Sequence, residues 1–576
     1  MIKKLARHIG EYKLPSLLTP IFILFEVGIE VSIPFVISRL IDVGIQGDGG
    51  ITYVIEMGAI MLAFALASLA CGALAGRTGA VASVGFAKNL RNALFQSVQD
   101  FSFSNVDKFS TPSLITRLTT DVTNVQTAYM MIIRGAVRSP LMLVCATSFA
   151  LGINWKLSLI FIGAIPVLAV GAFFLLTSVH PRFVRLLKKF DLINADVQED
   201  LAGIRVVKTF VREDHESEKF RKSSEELRAA QIKAEKVMVL AMPLMMTMIY
   251  ACIILVLYLG GGFIVQGEMT VGQLTSFLTY IMQILLSFMM LAVMLVNIML
   301  SRASAQRIVE VLDEKPDITD APDAIQERPE NGKIEFRNVK FCYRNSENAA
   351  LEGIDFTLES GETLGIIGGT GSAKSTLVQL IPRLYDVTEG EVLVGGKNVK
   401  DYGLVPLRDS VAMVLQKNVL FSGTIKENLL WGNEDATDEE IAEACKIADA
   451  YDFVIARPDG FETDLGQGGV NVSGGQKQRL CIARALLKKP QVMILDDSTS
   501  AVDTATDRKI REGLKKNLKD MTTIIIAQRI ASVMDADKIL VLDNGRMDGF
   551  GTHEELLKTN EIYREVYESQ VHKEEE

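Results

Sequence analysis

The stretch GGTGSAKST, residues 368–376, decides the fold of the second half of the chain. It follows the apolar run TLGII and opens the helical pattern TLVQLIPRLY. A glycine-rich loop between a strand and a helix directs backbone N–H groups and a helix N-terminus at an anion. In such a loop Lys374 would reach the β- and γ-phosphates of a nucleotide, and the Ser375 hydroxyl would bind Mg²⁺. The residues predicted to hold the phosphates are Gly368, Gly369, Thr370, Gly371, Ser372, Ala373, Lys374, Ser375 and Thr376.

Two further stretches belong to the same kind of site. VMILDD, residues 492–497, has the pattern of a buried strand that ends in Asp496, which would hold Mg²⁺ directly or through water. NVSGGQKQR, residues 471–479, places two glycines after a serine and before a helical run, which makes a second anion cradle. The binding residues predicted there are Ser473, Gly474, Gly475 and Gln476.

The first 300 residues have a different character. Six apolar segments are long enough to span a bilayer, which takes about 20 residues each. They are 16–44, 51–77, 131–152, 157–179, 237–265 and 272–300. Lysine and arginine are concentrated before the first segment and in the long connections after the second and the fourth. This distribution predicts that both termini are cytoplasmic.

Composition agrees with a chain that is part membrane and part soluble. The 576 residues are 49% hydrophobic and 23% charged, with a mean hydropathy of +0.24. These values exclude a disordered or fibrous chain and fit a purely soluble enzyme poorly. The net charge of −10 argues against nucleic acid as the main partner. The six cysteines are widely spread without a CxxC pair, which argues against a disulfide framework or a zinc site.

These patterns predict two domains and a linker. The first, residues 1–310, is an all-α transmembrane domain of six helices with long cytoplasmic helical extensions. Residues 311–333 form a polar, proline-bearing linker. Residues 334–576 form an α/β P-loop NTPase domain. Its buried strands are predicted at TLGIIGG, VAMVL, VMILDD, TTIIIAQ and ILVLDNG.

In this order and spacing the motifs resemble those of ATP-binding cassette (ABC) exporters of the half-transporter kind, and the resemblance covers nearly the whole chain. It implies an ATP-hydrolysing translocase that uses Mg²⁺. It also implies a multi-pass protein of the cell (inner) membrane with a cytoplasmic nucleotide-binding domain. By resemblance, Tyr343 stacks on adenine and Gln416 links Mg²⁺ to the membrane domain.

The resemblance extends to motifs that connect domains and subunits. SGGQ corresponds to the family's signature, and SAVD, residues 500–503, to the loop that crosses the dimer interface. The stretches near 105–115 and 208–216 correspond to the helices that couple the membrane domain to the nucleotide-binding domains.

Three positions depart from the family pattern. Ala373 stands where glycine usually precedes the lysine, and its Cβ is expected to crowd the loop or the phosphates. Asp497 stands where the family has a catalytic glutamate; a shift of about 1 Å in a general base can lower the rate on the order of 10²-fold. Gln528 replaces the switch histidine and cannot carry a positive charge. Lys374, Asp497 and Gln528 are the predicted catalytic residues, the last two in degenerate form.

The three departures lie around the chain's own phosphate loop, whereas its signature is intact. This combination indicates one half of a heterodimer. In this family each site combines one chain's phosphate loop with the other chain's signature. The chain's own site would then hydrolyse ATP slowly, and its signature would complete the active site of a second half-transporter. The alternatives are a slow homodimeric exporter and a nucleotide-gated channel or regulatory subunit. By resemblance only, the cargo is a small amphipathic or hydrophobic compound of multidrug or lipid-like type, and membrane lipid is a further partner.

Four ionisable side chains fall inside predicted membrane spans. Glu26 and Glu30 lie one helical turn apart on the first span, and Arg134 and Arg138 repeat that spacing on the third. Such groups line a path for a cationic or amphipathic cargo, or pair one helix with another.

Overall fold

Contacts between residues divide the chain into two units. One contains Met1–Gln99 and Thr111–Glu314, and the other contains Asp100–Ser110 and Lys315–Glu576. The structure is a computed structural model and describes residues 1–344, 346, 348–497, 503–517 and 520–574. The predicted domain boundaries at residues 310 and 334 stay a prediction, since they follow from composition and not from contacts.

The first unit is built of helices. In chain order, and including α4 of the second unit, the helices up to residue 313 are α1 Ile2–Arg7, α2 Lys13–Arg39, α3 Gly50–Gln99, α4 Phe103–Phe109, α5 Thr111–Thr116, α6 Val122–Met130, α7 Ala136–Ile153, α8 Trp155–Thr209, α9 Glu213–Met238, α10 Ala241–Val265 and α11 Val271–Asp313. Short π-helical turns at Leu40–Ile45, Arg117–Asp121 and Met131–Gly135 continue or join some of them. Polar caps mark where helices begin: the Asn154 side chain accepts from two N–H groups of α8, and Thr270 forms a capping box with Gln273 at α11.

Five helical segments among the described residues are long and apolar enough to cross a membrane. They are Gly10–Ile45, Gly50–Gln99, Thr111–Ile153, Glu213–Val265 and Val271–Asp313. Each contains one of the predicted spans. The remaining predicted span, 157–179, falls on α8, in which Trp155–Gly171 is a shorter apolar stretch of the described chain.

The second unit contains two sheets. Its strands are β1 Ile334–Phe341, β2 Leu351–Leu358, β3 Thr363–Gly368, β4 Glu389–Val394, β5 Lys397–Asn398, β6 Val411–Val414, β7 Val492–Asp496, β8 Thr522–Ile526, β9 Lys538–Asp543 and β10 Arg546–Gly551. The larger sheet has the order β10-β9-β3-β8-β7-β6, in which only β10 is antiparallel to its neighbour. The smaller sheet, β2-β1-β4-β5, is antiparallel.

The helices of the second unit after α4 are α12 Lys374–Gln379, α13 Leu404–Ser410, α14 Ile425–Leu430, α15 Asp438–Ile447, α16 Tyr451–Ile455, α17 Gly474–Leu487, α18 Thr504–Asn517, α19 His553–Thr559 and α20 Glu561–Glu574. The five predicted strands correspond to β3, β6, β7, β8 and β9. Strands β7 and β8 are buried at every position, as expected for the middle of a parallel sheet covered on both faces. The carboxyl ends of β3, β7 and β8 meet at one edge, where ligands of such sheets bind.

Candidate nucleotide-binding site

The phosphate loop joins β3 to α12, and its glycines are required by its geometry. A Cβ on Gly368 would lie 2.2 Å from the Leu542 carbonyl oxygen, so no larger residue fits at the end of β3. Gly371 has a φ of +87°, a left-handed conformation that favours glycine. A Cβ on Gly369 or Gly371 would meet no protein atom within 4 Å, so this side of the loop is open to an anion.

Lys374 reaches back across the loop that precedes it. Its Nζ donates to the carbonyl oxygens of Gly368 and Gly369 at 2.7 and 2.8 Å. Burial lowers the pKa of Lys374, while the nearby carboxylates of Asp497 and Asp496 act in the opposite direction. The ammonium group is therefore held at the loop, near Asp496, the last residue of β7, and Asp497, which follows it.

Ala373 adopts a left-handed backbone with φ +68° and ψ +26°. For a residue with a Cβ this conformation costs about 1–2 kcal/mol. The methyl group is partly buried and packs against the apolar core of the domain. The crowding expected from the sequence therefore takes the form of backbone strain, which glycine would not have.

The three predicted Mg²⁺ ligands lie in one connected group. The Ser375 hydroxyl donates to Asp496 Oδ1 at 3.0 Å, and Gln416 Nε2 lies 3.3 Å from Oδ2 of the adjacent Asp497. Burial raises the pKa of Asp496, and Asp497 adds to this, whereas Ser375 and Lys374 oppose it. A hydroxyl, a carboxylate and an amide oxygen fit Mg²⁺, which prefers oxygen ligands and completes its shell with phosphate and water. When bound, the ion would neutralise phosphate charge.

Asp497 and Gln528 are also brought together. Asp497 is 8% exposed, and its backbone is fixed by a hydrogen bond from its N–H to the Ile526 carbonyl oxygen at 3.0 Å. Gln528 Nε2 donates to Asp497 Oδ2 at 2.8 Å. The same oxygen therefore accepts from two amides, those of Gln416 and Gln528.

Tyr343 belongs to an aromatic cluster beside the phosphate loop. Its hydroxyl lies 2.8 Å from the Thr376 hydroxyl, and its ring packs edge-on against Tyr385, with centroids 5.5 Å apart. Next to the cluster is a cavity of about 350 Å³. It is lined in part by Ser104, Asp107, Asp317, Phe341, Tyr343, Tyr385 and Asp386.

Tyr385 is a residue that the motifs did not reveal. Its hydroxyl donates to Asp107 Oδ2, on α4, at 2.7 Å, and the Phe103 ring of α4 packs edge-on against it at 6.0 Å. Burial, and then the bond to Asp107, raise the pKa of Tyr385. Tyr385 therefore joins the aromatic side of the nucleotide site to α4, one of the two stretches that resemble coupling helices.

The signature forms the first turn of α17. Ser473 caps the helix: its Oγ accepts from the Gln476 N–H at 3.3 Å, and Gln476 Oε1 accepts from the Ser473 N–H at 3.0 Å. Gly474 and Gly475 follow the cap. The hydrogen bonds of Ser473 and Gln476 close this turn and do not reach the phosphate loop. In the SAVD stretch, residues 500–502 lie outside the described residues.

Arg138 joins the two glutamates of α2. It forms an ion pair with Glu26 and a second one with Glu30, in which Nη2 lies 2.7 Å from Oε2. Of the two interpretations of these residues, the structure supports pairing between α2 and α7. Arg134 lies one turn earlier, in the π-helical turn that precedes α7.

Comparison with known proteins identifies the family. The family models "ABC transporter transmembrane region" and "ABC transporter" match residues 16–289 and 351–500. The ABC transporter ATP-binding protein YfiB of Bacillus subtilis is 37% identical over 573 residues, which cover 100% of this chain and 99% of YfiB. The chain belongs to the ABC transporter family.

Other similar proteins extend the comparison. An ATP-dependent lipid A-core flippase of Syntrophus aciditrophicus is 32% identical, covering 84% of this chain and 80% of the flippase. The putative multidrug export ATP-binding/permease protein YgaD of Bacillus subtilis is 34% identical, covering 83% of each chain. A bacterial Atm1-family ABC exporter with ATP bound shares the fold, with a TM-score of 0.83, 24% identity and coverage of 97% of this chain and 99% of the exporter.

These findings confirm the exporter half-transporter predicted from the motifs. The ABC transporter is a multi-pass membrane protein with a cytoplasmic ABC domain, and its bacterial relatives indicate the inner membrane. It binds ATP with Mg²⁺, hydrolyses ATP and works as a dimer, as members of this family do. The predicted fold class, a helical transmembrane domain followed by an α/β cassette, is also confirmed.

Proposed function

We propose that this chain is one subunit of a heterodimeric ATP-driven exporter and that its own phosphate loop forms a slowly hydrolysing site. The observation that carries the proposal is the arrangement around Asp497. The carboxylate oxygen nearest the switch residue already accepts hydrogen bonds from Gln416 and Gln528. A general base must instead be free to accept a proton from the attacking water. A side chain one methylene shorter than glutamate also reaches less far toward that water.

The signature supports the other half of the proposal. Its capping box with Ser473 and Gln476 is complete, so the N-terminus of α17 is well formed as an anion-binding end. A chain with a weakened phosphate side and an intact signature is suited to completing a partner's active site. ATP binding would close the two cassettes, and hydrolysis at the partner's phosphate loop would reopen them.

The proposed cargo is an amphipathic or hydrophobic compound that leaves the cytoplasm or the inner leaflet by alternating access. The lipid A-core flippase and the multidrug export protein among the relatives support this class. The pairing of Arg138 with Glu26 and Glu30 is compatible with this class, since these ionisable groups are used in pairing α2 with α7 and one of the two glutamate charges is offset.

The proposal is tested by purifying the chain alone and together with its partner half-transporter, each in sealed vesicles with ATP. The account predicts concentrative, ATP-dependent flux from the pair and slow ATP turnover from this chain alone. Brisk ATPase activity coupled to transport by this chain alone would establish the homodimer. ATP-gated flux that only equilibrates a gradient would establish a channel.

A further inference from the structure

The last described helix, α20, turns one face toward the interior of the ABC domain. Tyr563, Val566, Tyr567 and Gln570 follow the spacing i, i+3, i+4 and i+7, so they share one side of the helix. Tyr563 is fully buried, and Val566 and Tyr567 pack against the apolar core. The face that anchors α20 therefore ends in a polar residue, Gln570.

Gln570 contacts the backbone of the segment that carries the switch residue. Its Oε1 accepts from the Ile530 N–H at 2.8 Å, and its Nε2 donates to the Gln528 carbonyl oxygen at 2.9 Å. Ile530 begins the short 3-10 helix Ile530–Ser532, and the first N–H groups of a helix have no partner within it. A primary amide can satisfy both backbone groups at once because it is both a donor and an acceptor.

The same segment is fixed on its other sides. The Ile530 side chain is 2% exposed within the apolar core, and the Ser532 hydroxyl donates to Asp507 Oδ2 at 3.0 Å. With these supports, the backbone at Gln528 holds its side-chain amide 2.8 Å from Asp497 Oδ2. Among the residues that support this segment, Gln570 is the one that bonds directly to the backbone of Gln528.

We propose that Gln570 is a positioning residue: it holds the backbone of the switch segment, and through it keeps the Gln528 amide at Asp497. The proposal rests on the slow site proposed above, and it adds that the Gln528 amide, through its hydrogen bond to Asp497 Oδ2, helps to retain ATP there. It makes the retention of ATP at this chain's phosphate loop depend on a residue of α20, outside the motifs described above.

The experiment measures how fast Mg²⁺-ATP leaves this chain in the full-length transporter in lipid. The protein is loaded with 8-azido-ATP, chased with unlabelled ATP and photolabelled at intervals, and the label on this chain is counted. The variants are Gln570→Ala, Gln570→Glu, Gln528→Ala and the double variant Gln570→Ala with Gln528→Ala. Glu568→Gln, an exposed position on the same helix, is the matched control.

Loss of both Gln570 bonds should speed release by about three- to tenfold, which is the usual worth of one or two neutral hydrogen bonds. Gln570→Glu should release ATP at least as fast as Gln570→Ala, because its second carboxylate oxygen would face the Gln528 carbonyl oxygen, to which Gln570 donates. The double variant should release ATP no faster than Gln528→Ala alone, and Glu568→Gln should match wild type. A residue that only stabilises the fold would instead add its own factor in the double variant.

Two results would overturn the proposal. One is a clear effect of Gln528→Ala with none from either Gln570 variant, and the other is a multiplied effect in the double variant. If Gln528→Ala itself leaves the release rate unchanged, Gln528 does not retain ATP and the positioning role is wrong, whereas the slow hydrolysis proposed for this site is judged separately by single-turnover hydrolysis. A thermal melt of each variant shows whether it is folded. If Gln570→Ala does not fold, Gln570→Glu replaces it in the comparison.

Discussion

Gln528 and Asp497 are in direct hydrogen-bonded contact, with Gln528 Nε2 2.8 Å from Asp497 Oδ2. These are the two positions at which the chain departs from the family's histidine and glutamate. Because the two side chains are in direct contact, their substitutions should not act independently. The pair orients the carboxylate as a hydrogen-bond acceptor, which suits a site that holds ATP more than one that hydrolyses it.

Ala373→Gly should stabilise the protein. The left-handed φ of +68° costs alanine about 1 kcal/mol or more, and glycine adopts it freely. We therefore expect a higher melting temperature and tighter ATP binding, measured by thermal denaturation with and without Mg²⁺-ATP. The control is Ala456→Gly, at an exposed position with an ordinary φ of −66°. There glycine should lower stability, and a loss of stability at both positions would contradict the strain at Ala373.

Asp496→Asn should raise the melting temperature measured without nucleotide and abolish the further rise that Mg²⁺-ATP produces. The carboxylate is 4% exposed, and burial raises its pKa, so its charge is unfavourable in the folded protein without a cation. Asparagine keeps an acceptor for the Ser375 hydroxyl. Asp435→Asn, at an exposed position, is the control and should change neither value.

The raised pKa of Asp496 also predicts that the stability of the protein depends on pH. A raised pKa means that the folded state binds the proton of Asp496 more tightly than the unfolded state does. The stability contributed by this group therefore falls as pH rises from the ordinary aspartate value of 3.8 through the higher folded pKa. The stability difference between Asp496→Asn and wild type should grow over that range when both are titrated. A difference that shrinks with rising pH would contradict the assignment.

Tyr385→Phe should weaken the link between α4 and the nucleotide site while leaving the aromatic cluster packed. It removes the hydroxyl that donates to Asp107 at 2.7 Å, a bond to a charged group worth about 1.5–3 kcal/mol. We expect cargo-stimulated ATPase activity to fall several-fold with little change in basal activity. Tyr402→Phe is the matched control, since it loses a buried hydrogen bond to the Val394 carbonyl oxygen away from α4. Equal effects from the two variants would show a general loss of stability instead.

Arg138→Met should destabilise the membrane domain, because it leaves Glu26 and Glu30 without their shared cation. The melting temperature in detergent should drop by several degrees. Adding Glu26→Gln and Glu30→Gln to that variant should recover most of the loss. Arg134→Met, one turn away, should have a smaller effect. If Arg138→Met melts like wild type, the pairing does not hold α2 and α7 together.

The sequence predicted the parallel strands of the cassette better than the antiparallel ones. Strands β3 and β6–β9 are short apolar runs because they are buried. β2 alternates buried and exposed residues, which is a weaker signal over eight positions. The smaller sheet therefore became visible only in the structure.

The residues of the nucleotide site likewise fall into those that the sequence predicted and those that only the structure revealed. The phosphate loop and Asp496 were predicted because the chemistry fixes their type and spacing along the chain, and Asp497 and Gln528 were predicted from the resemblance, as the residues that stand where the family has a glutamate and a histidine. Tyr385 and Gln570 belong to no such motif: Tyr385 meets a residue 278 positions away, and Gln570 meets the Gln528 backbone from 42 positions away. Only the folded chain brings these residues to the site. In the membrane domain, spacing alone suggested partners for the glutamates, and the structure selected Arg138.

The central claim, that this chain's own phosphate loop hydrolyses ATP slowly because of Asp497 and Gln528, is tested most directly by single-turnover hydrolysis. The full-length chain is purified alone in lipid, as wild type and as the double variant Asp497→Glu with Gln528→His. The account predicts slow hydrolysis by wild type and a gain on the order of 10²-fold in the double variant. Wild-type hydrolysis as fast as that of the double variant would contradict it.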